Sequence, residues 1–96
     1  MLSRVLRMLR DHNGMTQAAL AREMHYTGAF ISLLEIGKRV PTLFTLEMYA
    51  RRFGVPVSSI IFMAECLEHD IVPDQRESLM SYTALRILKS HTEKTQ

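Results

Sequence analysis

Apolar residues recur along this chain at helical spacing, in five short stretches followed by a longer sixth. Val5, Leu6 and Leu9 form an i, i+1, i+4 stripe that predicts a helix from about Ser3 to His12, with Arg4, Arg7 and Arg10 outside the stripe. Asn13-Gly14 is a turn signal that ends it. A second helix covers about Gln17–Met24, and a third covers Gly28–Ile36. Each opens on a threonine, Thr16 or Thr27. A threonine oxygen there accepts a hydrogen bond from a first-turn N–H that no helical carbonyl can reach. Gly37 stops the third helix, because glycine adopts the left-handed conformation at a helix end without strain.

Lys38 to Leu43 reads as a loop containing Pro41. A fourth helix follows over about Phe44–Phe53 and is closed by Gly54. Pro56 starts the next turn, and Ser58 is placed to cap a fifth helix over about Ser59–His69. Pro73 cannot continue that helix, since it lacks an N–H and clashes with the preceding turn. Asp74 caps a sixth helix, about Gln75–Ser90, with the stripe Leu79, Tyr82, Leu85 and Leu88. Its apolar cover is wider than a surface helix needs. Two readings fit that width: a helix that caps its own domain, or one that also packs on a second copy of the chain. No segment carries a strand signal, so the sequence specifies an all-α protein. Residues 1–69 form one domain, and 70–96 form a C-terminal helical extension for dimerisation or capping.

Within this frame, Thr16 to Glu35 carries the most information. Leu20, Ala21, Met24, Ile31 and Leu34 fall on helix faces that turn toward each other, and Ala21 is small enough to let the two axes approach closely. Two short capped helices joined by a tight turn are the pattern of a helix-turn-helix, whose second helix can enter the DNA major groove.

Composition and charge narrow the partners. Ninety-six residues make one domain, and 47% apolar content fits a globular chain. The net charge is only +2, but it is unevenly placed. Residues 1–54 hold eight Lys/Arg against four acids, and 55–96 hold four against six. A basic half that coincides with the helix-turn-helix suits a polyanion, although a plain solvated surface has the same signature. The single Cys66 cannot form an internal disulfide and reads as a small buried apolar residue. No apolar run is long enough to span a bilayer, so no membrane contact is expected. Residues 1–10 mix Leu and Arg as a mitochondrial presequence does, but they serve better as a first helix.

Nothing points to an enzyme. The chain has no Gly-rich phosphate loop, no Cys/His metal spacing and no nucleophile elbow. His12, His25, His69 and His91 are scattered. Met8, Met24, Met48 and Met63 read as core fillers rather than ligands. No cofactor and no metal are expected.

The chain resembles the lambda-repressor-like helix-turn-helix family, the Cro or XRE class. The resemblance rests on Gln17, Leu20-Ala21, Thr27, Phe30-Ile31-Ser32, Leu34-Glu35, Gly37-Lys38-Arg39, Pro41, Leu46, Ala50, Phe53-Gly54-Val55 and Ile60, in order and at the family's spacing. They cover about residues 3 to 63. The resemblance implies a five-helix DNA-binding domain, here with an additional C-terminal helix. It also implies a transcriptional regulator of a bacterium, phage or plasmid, cytoplasmic and nucleoid-associated, that binds double-stranded DNA as a homodimer. Leu79, Tyr82, Leu85 and Leu88 would then be dimer contacts. With no sensor domain in the sequence, control would come from the protein's own concentration or from a regulatory protein partner.

Holding phosphates and reading bases are separate tasks. The resemblance assigns the first to Gln17 with Thr16 at the start of the second helix, to Lys38 and Arg39 after the third, and to Thr42 at the entry of the fourth. It assigns base reading to Thr27, Gly28, Ala29, Ser32 and Leu33, with Phe30 flanking. Here the sequence departs from the family. Gly28 and Leu33 stand where Arg, Gln, Asn or Lys often appear, so no bidentate pair to guanine or adenine can be built. What remains is the Thr27 and Ser32 hydroxyls and apolar contact with thymine methyls, or readout through DNA deformability. The rival reading is a protein-interaction module, antirepressor-like or antitoxin-like, that uses Phe30, Leu33 and Ile36 as an apolar face. The resemblance also implies a structural ion pair between Arg10 and Glu35, with Arg7 a substitute partner. On this reading Arg10→Ala impairs folding and binding together, whereas Gln17→Ala affects binding alone.

Overall fold

The computed structural model describes residues 1–70. They fold into five helices with no strand: α1 (Leu2–His12), α2 (Gln17–Met24), α3 (Gly28–Glu35), α4 (Leu43–Phe53) and α5 (Val57–His69). The sixth helix expected over 75–90, and with it Leu79, Tyr82, Leu85 and Leu88, lies outside the described residues.

Each of α2, α3 and α4 begins at a threonine that closes its first turn. Thr16 Oγ accepts from the Ala19 N–H, Thr27 Oγ from Phe30 and Thr42 Oγ from Thr45, at 3.0, 3.0 and 3.1 Å. Such caps each contribute about 1 kcal/mol. The turn between α2 and α3 is made by His25, which sits in the left-handed region at φ 60°. Gly37 provides the same conformation after α3, at φ 81°.

The core takes in Val5 and Leu6 of the first stripe and the facing residues of α2 and α3, with Leu9 only packed against it, and it extends into α4 and α5. Val5, Leu6, Leu20, Ala21, Met24, Ile31, Leu34, Leu46, Tyr49, Ile60 and Ala64 form one buried cluster. α2 packs on α3, α1 lies against both α3 and α5, and α4 packs on α5. Ile60 and Ala64 bring α5 into this cluster. Phe62 and Cys66 are buried on its other side, outside the cluster.

Several local expectations need correction. Arg10 is buried with Val5 and Leu6 rather than lying outside their stripe, because it follows Leu6 by four residues and shares its face. Met8 is 48% exposed and is not a core filler, since three residues on from Val5 its side chain turns past the edge of that face. α5 starts at Val57, so Pro56 occupies the cap position and Ser58 lies inside the first turn. α3 ends one residue early, with Ile36 as its cap, and α4 starts one early, because Thr42 is its cap.

Candidate nucleic-acid interface

Besides their core contacts, α2 and α3 are tied to α1 through one carboxylate. Glu35 is the last residue of α3, and only 7% of it is exposed. Arg10, on α1, donates Nε–H to Glu35 Oε2 at 2.7 Å and Nη2–H to Oε1 at 2.8 Å, a bidentate pair. Its remaining nitrogen, Nη1, donates to the Met15 carbonyl at 2.8 Å and so fixes the chain just before α2. The hydrogen bond to Glu35 raises the Arg10 pKa above its ordinary value, against the opposing effect of burial. Arg7 pairs with Asp11 at 3.5 Å on the exposed side of α1 and does not compete for Glu35.

Gln17 joins the same network, which sequence reasoning missed. Its Nε2 donates to Glu35 Oε1 at 3.1 Å. A primary amide carries two N–H donors, so one stays available at the start of α2. The bond holds the side chain half-buried against α3 instead of leaving it to sample solvent. The backbone N–H groups of Gln17 and Ala18, and those of Leu43 and Phe44 on α4, have no acceptor among the described residues. These helix starts therefore present oriented donors suited to anions.

The outer face of α3 carries the residues expected to read bases. Thr27, Gly28 and Ala29 are exposed, and Phe30, Ser32 and Leu33 are half-buried. Ile31, Leu34 and Glu35 face the body. The Thr27 oxygen is already an acceptor in its cap, so its O–H remains as a donor. Gly28 has a helical backbone, and a Cβ built on it would meet nothing within 4 Å. Neither folding nor packing demands glycine there.

Lys38 and Arg39 are exposed, and both backbone N–H groups return to the Leu33 carbonyl, at 3.0 and 3.2 Å. The Arg39 guanidinium lies 5.5 Å from the centre of the Phe30 ring, and that ring lies 4.7 Å from the ring of Tyr26. The Arg39–Phe30 contact was not legible, because Arg39 follows Phe30 by nine positions and lies beyond the end of α3. Among the described residues carboxylates neutralise Arg7, Arg10 and Arg52, the last through Glu23, but none pairs with Lys38 or Arg39. The unneutralised charge therefore includes the loop at the end of α3. No cluster of His, Cys, Asp and Glu among the described residues is arranged to hold a metal. No helix among them is long and apolar enough to cross a membrane.

Two capped helices locked at a left-handed turn, with the second exposing its outer face, define a helix-turn-helix protein. Residues 1–59 match the family model described as a helix-turn-helix domain, and the chain belongs to that family. It is similar to a competence pilus inhibition repressor of Acinetobacter baylyi, with 35% identity over 69 residues. That stretch covers 72% of this chain and 63% of the relative, so the chain spans less than two thirds of the relative's length. No solved structure matches the chain significantly.

Proposed function

We propose that the protein is a DNA-binding transcriptional regulator of the lambda-repressor type that docks α3 in the major groove of an operator. The observation that carries this reading is the rigid presentation of α3. Its inner face is anchored by Ile31, Leu34 and the Arg10–Glu35 pair, while Thr27, Gly28 and Ala29 stand clear. In this reading Thr16, Gln17, Lys38, Arg39 and Thr42 hold phosphates, and Thr27, Gly28, Ala29, Ser32 and Leu33 line the groove. The likeness to a repressor supports a negative regulator.

The test is equilibrium binding to duplex DNA over a salt series. A phosphate-holding interface loses affinity steeply as salt rises. Absence of binding at low salt refutes the reading. A homodimer, joined through Leu79, Tyr82, Leu85 and Leu88 in the extension 70–96, is part of the proposal, because paired half-sites require paired readers. Sedimentation of the full chain tests it, and a monomer at all concentrations refutes it.

A second reading draws on the apolar surface around α3 and α4. Ile36, Val40, Leu43 and Phe44 are 59%, 85%, 63% and 66% exposed. Exposed apolar side chains in that number suit a protein-interaction module. That reading predicts no affinity for DNA at any salt concentration.

A further inference from the structure

We infer that Phe30 is a positioning residue, whose ring holds the Arg39 guanidinium ready for a DNA phosphate. The inference rests on the DNA-binding reading above and moves Phe30 out of the base-reading set.

Arg39 lies in the loop between α3 and α4, on a long side chain with high rotamer entropy. Ordering such a side chain at the moment of binding weakens association. The geometry orders it beforehand. The guanidinium carbon lies 5.5 Å from the Phe30 ring centre, within the range of a cation–π contact. Phe30 is itself fixed. Its ring meets Tyr26 at 4.7 Å, and the Tyr26 hydroxyl shares a 3.1 Å hydrogen bond with Thr45 Oγ and donates to Met48 Sδ at 3.6 Å. Thr45 in turn bonds the α4 cap, Thr42. Arg39 thus rests on a column of side chains that runs from the turn before α3 to the first turn of α4.

A cation–π contact engages the guanidinium's charge and gives none of its N–H donors to an oxygen acceptor. Those donors stay available to phosphate oxygens. No carboxylate among the described residues competes for them. A cation held by an aromatic surface, rather than by an acid, keeps its full charge for the polyanion.

The experiment measures fluorescence anisotropy of the full chain with a fluorescein-labelled duplex of mixed sequence, over a salt series. Phe30→Leu is expected to weaken binding about two- to fivefold. Arg39→Ala should lower the slope of log K against log salt by about 0.9, the loss of one phosphate contact. Phe30→Leu combined with Arg39→Ala should bind no worse than Arg39→Ala alone, and Phe30→Tyr should bind as the parent does. Phe30→Met accompanies Phe30→Leu, so that a folded non-aromatic variant is at hand. Wild-type affinity in the folded non-aromatic variants, additive losses in the double variant, or failure of Phe30→Tyr to retain affinity each overturns the positioning role alone. A parent chain that does not bind the duplex at low salt overturns the DNA reading and this role with it.

Discussion

Replacing Arg10 by alanine tests the keystone of the fold. In the parent, Glu35 receives two hydrogen bonds from Arg10 and one from Gln17, with 7% of the residue exposed. Arg10→Ala removes two of the three and leaves a buried carboxylate held by one amide. It also removes the partner of the Met15 carbonyl. Breaking a buried pair from one side costs on the order of 3–5 kcal/mol. A small domain has only about 5–15 kcal/mol of stability in total. Arg10→Ala should therefore lose about a fifth or more of it, read as a lower urea midpoint by far-ultraviolet circular dichroism. The double variant Arg10→Met with Glu35→Leu separates the pair's contribution from the penalty of an orphaned charge. Replacing both ions by apolar groups is often neutral or stabilising, so the double variant should be more stable than Arg10→Ala. A loss of less than about 1 kcal/mol in Arg10→Ala would refute the keystone argument, because that is the contribution of a solvated surface pair.

Tyr49 is fully buried, and its hydroxyl has no hydrogen-bond partner among the described residues. Tyr49→Phe removes an unsatisfied polar atom and should be neutral or stabilising by about 1 kcal/mol on thermal or urea unfolding. Burial, aided by the Glu35 charge, raises the Tyr49 pKa far above the ordinary 10.0. The unfolded chain then releases this proton first, so stability is intact below about pH 10 and falls by about 1.4 kcal/mol per pH unit above it. Tyr49→Phe should lack that component, and identical alkaline slopes in the two proteins would refute it. His25→Gly relieves a left-handed non-glycine residue and should raise stability by about 1 kcal/mol; an unchanged midpoint would show no strain there. Gly28→Ala should add about 0.5–1 kcal/mol, because the backbone is helical and the site is open, and lower stability would refute that geometry. Gln17→Ala should lower both the urea midpoint and DNA affinity, since its amide bonds a buried carboxylate; a change in affinity alone would mean that the bond contributes nothing to folding.

What the sequence disclosed, and what it hid, follows from how far each interaction reaches along the chain. Caps act within three residues, so Thr16 and Thr27 announce α2 and α3 from composition alone. Helical stripes repeat within seven, which makes Leu20, Ala21, Met24, Ile31 and Leu34 legible as core. The Arg10–Glu35 contact spans 25 residues, and only resemblance to a family suggested it. Gln17–Glu35 and Phe30–Arg39 have no local signature, and both change roles read from the sequence. The first makes Gln17 a part of the fold as well as a candidate phosphate donor. The second gives Phe30 and Arg39 a joint geometry. Both contacts sit where α3 meets the rest of the domain. The same side chains that set the angle of α3 thus also orient the donors around it. A rigid body and an oriented set of donors are then one property of this chain, and a substitution that loosens Glu35 or Phe30 should disturb both.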